Sequence, residues 1–199
     1  MSALLQKRGA TIAELLAIPE EDRHHELIAG ELSEKAAPSG EHGATQAGVV
    51  RVFGGPFDRR PGGAGGPGGW WFATEVEIRL GEDVCRPDVV GWRRDRVPTR
   101  PRGAIVEVRP DWVCEILSTS DRRRDLVRKK QVYHRHQVGH YWIADPGEET
   151  LAVYRWHPDG YLEVLVGERG QRVRAEPFDA LTIEIGVLFG AEDEEAPAT

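Results

Sequence analysis

Two carboxylates in this chain stand where carboxylates are costly. Asp88 lies in RPDVVGW and Glu115 in WVCEIL, apolar runs of the kind that become buried strands. A carboxylate taken out of water must be hydrogen-bonded, paired with a cation or bound to a metal ion. For either acid alone an arginine suffices, and Arg86 and Arg109 are available. Two such acids near strand ends of one sheet point instead to a shared cation. Downstream, RRRDLVRKKQVYHRH reads as a helix on which Asp125, Lys129 and Tyr133 are spaced by four and share a face. This helix starts a few residues after the Glu115 strand, so its first turns should lie by that strand's C-terminal end. A lysine there can reach back toward a metal ion and a phosphate. Lys130, about 100° further round, is a phosphate-binding or surface lysine. Ser118 is a loop hydroxyl that caps the helix or supports Glu115.

The elements that must position these groups are legible as patterns. Thr11 and Glu14 form a capping box for a short helix over 11–17, ended by Pro19. HHELIAGELSEKA reads as a hairpin around Ala29-Gly30. A helix over 41–53 is expected only weakly, because Gly43 and Gly48 both lower helix propensity. The Gly/Pro-rich stretch 54–69 should be a flexible surface loop, and it lacks the Lys-Ser/Thr of a phosphate-binding loop. WFATEVEIRL alternates as one strand, and VCRPDVVGW begins the next. A buried strand WVCEIL, a helix over 121–136 and the strands HYWIAD, LAVYRW and YLEVLV follow, with DPGEET as a hairpin turn. Strands, then one helix, then strands predicts an α/β (α+β) fold with a mixed sheet and a crossover helix. One domain over 1–189 is expected, with a disordered acidic tail over 190–199.

Charge and composition permit a nucleic-acid partner without requiring one. The net charge is −7, yet residues 86–135 hold 14 Lys/Arg against 7 Asp/Glu, a basic segment in an acidic chain. The arginines at 93–102 and 122–124 are candidate contacts for a phosphate backbone. No apolar run approaches the roughly 18–20 residues of a membrane span, and no secretion signal is visible, so a cytoplasmic protein is expected. Cys85 and Cys114 then read as two buried thiols rather than a disulfide. His134 and His136 point to different sides of a helix and no zinc motif occurs. Ser118 has no nucleophile-elbow context. Trp112, Tyr141 and Trp142 read as core or interface aromatics.

Taken in order, PDVV, EILSTS, D-x-x-x-K-x-x-x-Y and VGHYWIADP resemble the Uma-two family of restriction-endonuclease-like proteins, within the PD-(D/E)XK nuclease superfamily. RHHELIAGEL resembles the family's early hairpin. The resemblance spans about residues 10–185 and implies a restriction-endonuclease-like mixed central sheet flanked by helices, with an extra N-terminal hairpin. It implies that Asp88 and Glu115 are the two acids, that Lys129 is the lysine, and that Glu26 completes the metal shell. Leu117 replaces the lysine two residues after the acid, and the resemblance implies that the lysine has moved to the following helix. His25 stands where the family has an aromatic. The implied activity is hydrolysis of phosphodiester bonds, most readily of DNA, with Mg²⁺ or Mn²⁺, by a homodimer. Such ions take oxygen ligands and activate water. The competing readings are a non-catalytic module that binds nucleic acid or protein, and a dimerising structural protein built around YWIADP.

Overall fold

Strand burial explains the layers. The structure, a computed structural model, describes residues 7–118 and 122–192. The chain runs β1 (Lys7–Arg8), α1 (Ile12–Leu16), β2 (His25–Ile28), β3 (Glu31–Glu34), α2 (Gly40–Phe57), β4 (Trp70–Thr74), β5 (Glu77–Leu80), β6 (Asp83–Cys85) and β7 (Val89–Arg93). It continues through β8 (Ile105–Val106), β9 (Trp112–Ile116), α3 (Arg122–Arg135), β10 (His140–Asp145), β11 (Thr150–Arg155), β12 (Leu162–Glu168), β13 (Arg172–Val173) and β14 (Ile183–Glu184). The larger sheet has the order β12-β11-β10-β9-β7-β4. Only β9 and β10 pair in parallel within it, and α3 is their crossover. Trp112, Cys114 and Ile116 of β9 and Trp142 and Ala144 of β10 face α2, where they meet Val49, Phe53, Phe57 and Phe178. Val113 and Tyr141 point the other way, to Val132 and Tyr133 of α3. Period-two alternation therefore puts Glu115, two residues after Val113, on the α3 face.

The smaller sheet, of order β1-β3-β2-β6-β5-β8, joins this second layer through Ile28, Ile78, Leu80 and Cys85. The hairpin at Ala29-Gly30 forms as expected, with φ of 52° and 73° at its two central residues, the left-handed pair a tight turn needs. The α1 capping box is present, with Thr11 N–H donating to Glu14 at 2.9 Å. Both cysteines are free and buried.

The strands around the site divide differently from expectation. Residues 71–80 are not one strand: the chain leaves the larger sheet after Thr74, turns at Glu75 with φ of 55°, and enters the smaller sheet at Glu77. VCRPDVVGW divides likewise, with β6 in the smaller sheet, β7 in the larger and Pro87, which has no N–H to donate, between them. Helix α2 also runs past its expected end, through Gly54, Gly55 and Pro56 to Phe57. Phe53 and Phe57 are buried against Phe178, with ring centroids 5.0 and 4.9 Å away, and this packing outweighs the low helix propensity of the segment. The chain then folds back on the helix end, where Gly68 N–H donates to Pro56 O at 3.0 Å and Gly69 N–H to Arg59 O at 2.7 Å. A Cβ at Gly66 or Gly68 would collide with the Pro56 or Arg60 backbone, so glycine serves close approach here.

Candidate active site

The two suspect acids meet where β7 and β9 adjoin. Val89 pairs with Cys114 in antiparallel register, so Asp88, just before β7, comes beside the end of β9 that carries Glu115. Asp88 Oδ2 accepts the Ile116 N–H at 2.6 Å, which fixes the carboxylate against the strand. Both side chains are almost wholly buried, at 1% and 3% exposure. The arginines that could have paired them do not: Arg109 donates to Gln137 O, and Arg86 turns to Glu75 and the Arg23 carbonyl.

Helix α3 supplies the partners of Glu115. Lys129 Nζ lies 3.0 Å from Glu115 Oε2 and 2.9 Å from Glu26 Oε1. One turn on, the Tyr133 hydroxyl donates to Glu115 Oε1 at 2.7 Å. The i, i+4 spacing thus brings an ammonium and a phenol to the two oxygens of one carboxylate. Glu26 arrives on β2, whose Leu27 pairs with Val84 of β6, and Glu26 Oε1 also accepts the Arg86 N–H at 2.7 Å. Through these contacts Glu26 holds the Lys129 ammonium.

A second ammonium, unforeseen from the sequence, serves Asp88. Lys35, just past β3, sits 2.7 Å from Asp88 Oδ1 and 2.8 Å from Glu75 Oε2. His42, in the first turn of α2, places Nε2 3.2 Å from Asp88 Oδ1, and Gln46 donates to Asp88 O at 2.7 Å and to Glu75 Oε1 at 3.2 Å. The turn at Glu75 aims that side chain into the cluster.

Burial and charge set the protonation of these groups. Burial alone would raise Asp88, but the His42 hydrogen bond and the Lys35 and Lys129 ammonium groups outweigh it and hold it well below the usual carboxylate range. Glu115 goes the other way. Its burial, with repulsion from Asp88 and Glu26, exceeds the attraction of Lys129 and pushes it from 4.5 up to about 7. Burial would lower Lys129, yet Glu115, Glu26 and Asp88 raise it well above an ordinary ammonium. Tyr133 is raised by burial and then by Glu115, so it stays a phenol that donates. The electrostatic stress of the cluster therefore falls on Glu115.

A family model described as "Uma2: Putative restriction endonuclease" matches residues 12–186. The chain belongs to the Uma2 family. Four solved chains match as well. One is the crystal structure of a putative nuclease belonging to DUF820 from Anabaena variabilis, with 26% identity over 90% of this chain and 97% of that one and a TM-score of 0.74. Together with the mixed sheets and flanking helices, this likeness shows a restriction-endonuclease-like α+β fold. None of the curated proteins matches.

In this Uma2 chain several other candidate residues lie elsewhere. Lys130 stands away from the cluster, as its helix phase predicts; its ammonium lies 3.6 Å over the Tyr154 ring, and burial lowers its pKa. The arginines after β7 are engaged in structural pairs: Arg94 and Arg100 both hold Asp58, Arg96 holds Asp111, and Arg93 holds Asp95. Arg93 and Arg100 keep much of their side chains exposed in these pairs. Ser118 follows β9 and is half-buried; the side chains of Arg122, Arg123, Arg124 and Asp125 lie outside the described residues, as does nearly all of the acidic tail. His134 stacks on Trp156 and contacts Tyr161, a packing role. No described helix is long and apolar enough to cross a membrane.

The donor set suits a hard divalent cation. Among the described residues no three His, Cys, Asp or Glu side chains form a ready ligand group. Asp88 and Glu115 remain as a two-carboxylate set, and Mg²⁺ commonly takes one or two carboxylates with water and substrate phosphate.

Proposed function

We propose that this Uma2 protein is a divalent-metal-dependent nuclease that hydrolyses phosphodiester bonds of nucleic acid, DNA before RNA. The observation that carries the reading is the junction of Asp88 and Glu115 at adjoining strand ends, with Lys129 buried on Glu115. Asp88 and Glu115 would hold Mg²⁺ or Mn²⁺. When bound, the ion supplies a Lewis acid for the phosphate and a water of lowered pKa. The chain's own groups do the positioning. The Ile116 N–H and the Tyr133 hydroxyl each fix one oxygen of a carboxylate, so neither acid need reorganise as charge develops. Glu26 keeps the Lys129 ammonium beside Glu115, where it offsets negative charge brought by a phosphate. Arg122, Arg123 and Arg124, at the start of α3, are proposed to contact the phosphate backbone, which makes binding salt-dependent and sequence-independent.

Cleavage of single-stranded, duplex and branched DNA and of RNA, with Mg²⁺ or Mn²⁺ and with chelator, tests the proposal against Asp88→Ala, Glu115→Ala and Lys129→Met. Metal-dependent cleavage lost in the acid variants is expected. Cleavage indifferent to all three changes refutes the site. The second reading, a binding module on the same fold, draws on the internal ammonium that each acid already holds. Salt-dependent DNA binding without cleavage in the wild type, unaffected by the three changes, would favour it.

A further inference from the structure

Lys35 has surroundings unlike those of an ordinary ion-paired lysine. Its Nζ lies 3.0 and 2.8 Å from the two oxygens of Glu75, 2.7 Å from Asp88 Oδ1 and 3.0 Å from the Arg86 carbonyl oxygen. An ammonium has three protons, and here four oxygens surround it. A chelating carboxylate, a second carboxylate and a main-chain carbonyl form the kind of shell that a hard divalent cation takes. The second oxygen of Asp88 is held by the Ile116 N–H, so Lys35, at 2.7 Å and with His42 Nε2 beside it at 3.2 Å, occupies the carboxylate oxygen that an incoming ion would need. The two lysines differ in setting. The Lys129 side chain is enclosed between Glu26 and Glu115 at 7% exposure, whereas that of Lys35 is 18% exposed and follows the end of β3. Of the two ammonium groups, that of Lys35 is therefore the nearer to solvent.

We propose that Lys35 is a resident counter-ion in the cation position on Asp88, and that a divalent ion loads by displacing its ammonium. The proposal rests on the reading of Asp88 as a metal ligand. It adds a competition that the family's acids and helical lysine do not contain. A phosphodiester gives the displaced ammonium a new acceptor, so metal ion and substrate each strengthen the other's binding, as linkage requires of two coupled ligands.

The test is calorimetric titration of the full chain with Mn²⁺, alongside thermal unfolding with and without Mn²⁺, for wild type, Lys35→Met, Lys35→Arg and Asp88→Asn. Lys35→Met is expected to bind Mn²⁺ about tenfold more tightly or better, since one buried cation no longer competes with the other. Its melting temperature should rise more on adding Mn²⁺ than that of the wild type. Lys35→Arg, which keeps the charge, should stay within about threefold of wild type. If Lys35→Met does not fold without metal, Lys35→Gln is measured in its place with the same expected direction. Equal or weaker Mn²⁺ binding in the neutral variant overturns the proposal. When Asp88→Asn loses Mn²⁺ but the neutral variant gains nothing, Lys35 alone is misassigned. Should Asp88→Asn bind as the wild type does, or no protein bind Mn²⁺, the metal-site reading falls with it.

Discussion

Replacing Glu115 by glutamine separates what its buried charge costs from what the charge does. In the folded protein this carboxyl titrates at about 7 rather than 4.5, so the folded chain holds the proton more tightly than the unfolded chain. The stability contributed by the group is then fully present below about pH 4.5, falls as the pH rises to about 7, and is level above that. At about 1.4 kcal/mol per unit, the displacement amounts to about 3 kcal/mol across the window. Glutamine recovers only part of it, because Lys129 loses an anionic acceptor at 3.0 Å and keeps Glu26 at 2.9 Å. In metal-free buffer with chelator, Glu115→Gln should exceed the wild type by about 1–2 kcal/mol at pH 8 and match it at pH 5. Urea unfolding at the two pH values reads the difference, and the same preparation should show no metal-dependent cleavage. A variant less stable than wild type at pH 8, or one with the same pH dependence as wild type, would refute the assignment of strain to this carboxyl.

Asp88 acts in the opposite sense and in a different window. Its folded pKa is depressed, so its stabilising contribution is present above the ordinary carboxylate value and is lost as the pH falls through the folded one. Asp88→Asn should lower stability at pH 7 by about 3 kcal/mol and flatten the acid limb below about pH 4, as followed by circular dichroism. On α2, Gly48→Ala should destabilise by about 1–3 kcal/mol, because a Cβ there meets the Leu188 carbonyl oxygen. Gly43→Ala in the same helix, with open space around it, should stabilise by up to about 1 kcal/mol, and thermal melts of the pair check the contact.

Asp88 and Glu115 were legible because a carboxylate in an apolar run is anomalous whatever surrounds it. Lys129 and Tyr133 were legible because helix phase is local and α3 immediately follows β9. Lys35, His42 and Glu75 had no such signal. They lie on three segments, 13 to 53 residues from Asp88, and reach it only through the docking of β2–β3, α2 and the turn after β4. The strand break at Glu75 was invisible for a related reason: Phe72, Thr74, Val76, Ile78 and Leu80 keep one alternation while the chain changes sheets. The pairs of Arg94, Arg96 and Arg100 were not legible, because charge alone cannot tell an arginine that holds Asp58 or Asp111 from one that awaits a phosphate.

The chain passes between its two sheets at Glu75–Val76 and again at Arg86–Asp88, and the cluster lies along this seam. Glu26 belongs to the smaller sheet, Glu115 to the larger, and Lys129 bridges them from α3. The larger sheet with α3 already carries Asp88, Glu115 and Lys129, and the smaller sheet adds Glu26 on Lys129 and Lys35 on Asp88. A partly folded chain whose sheets have not docked therefore keeps its two acids together and lacks the groups that hold Lys129 and neutralise Asp88. On the nuclease reading, docking of the smaller sheet is the step that sets the charge of a site the larger sheet has already assembled.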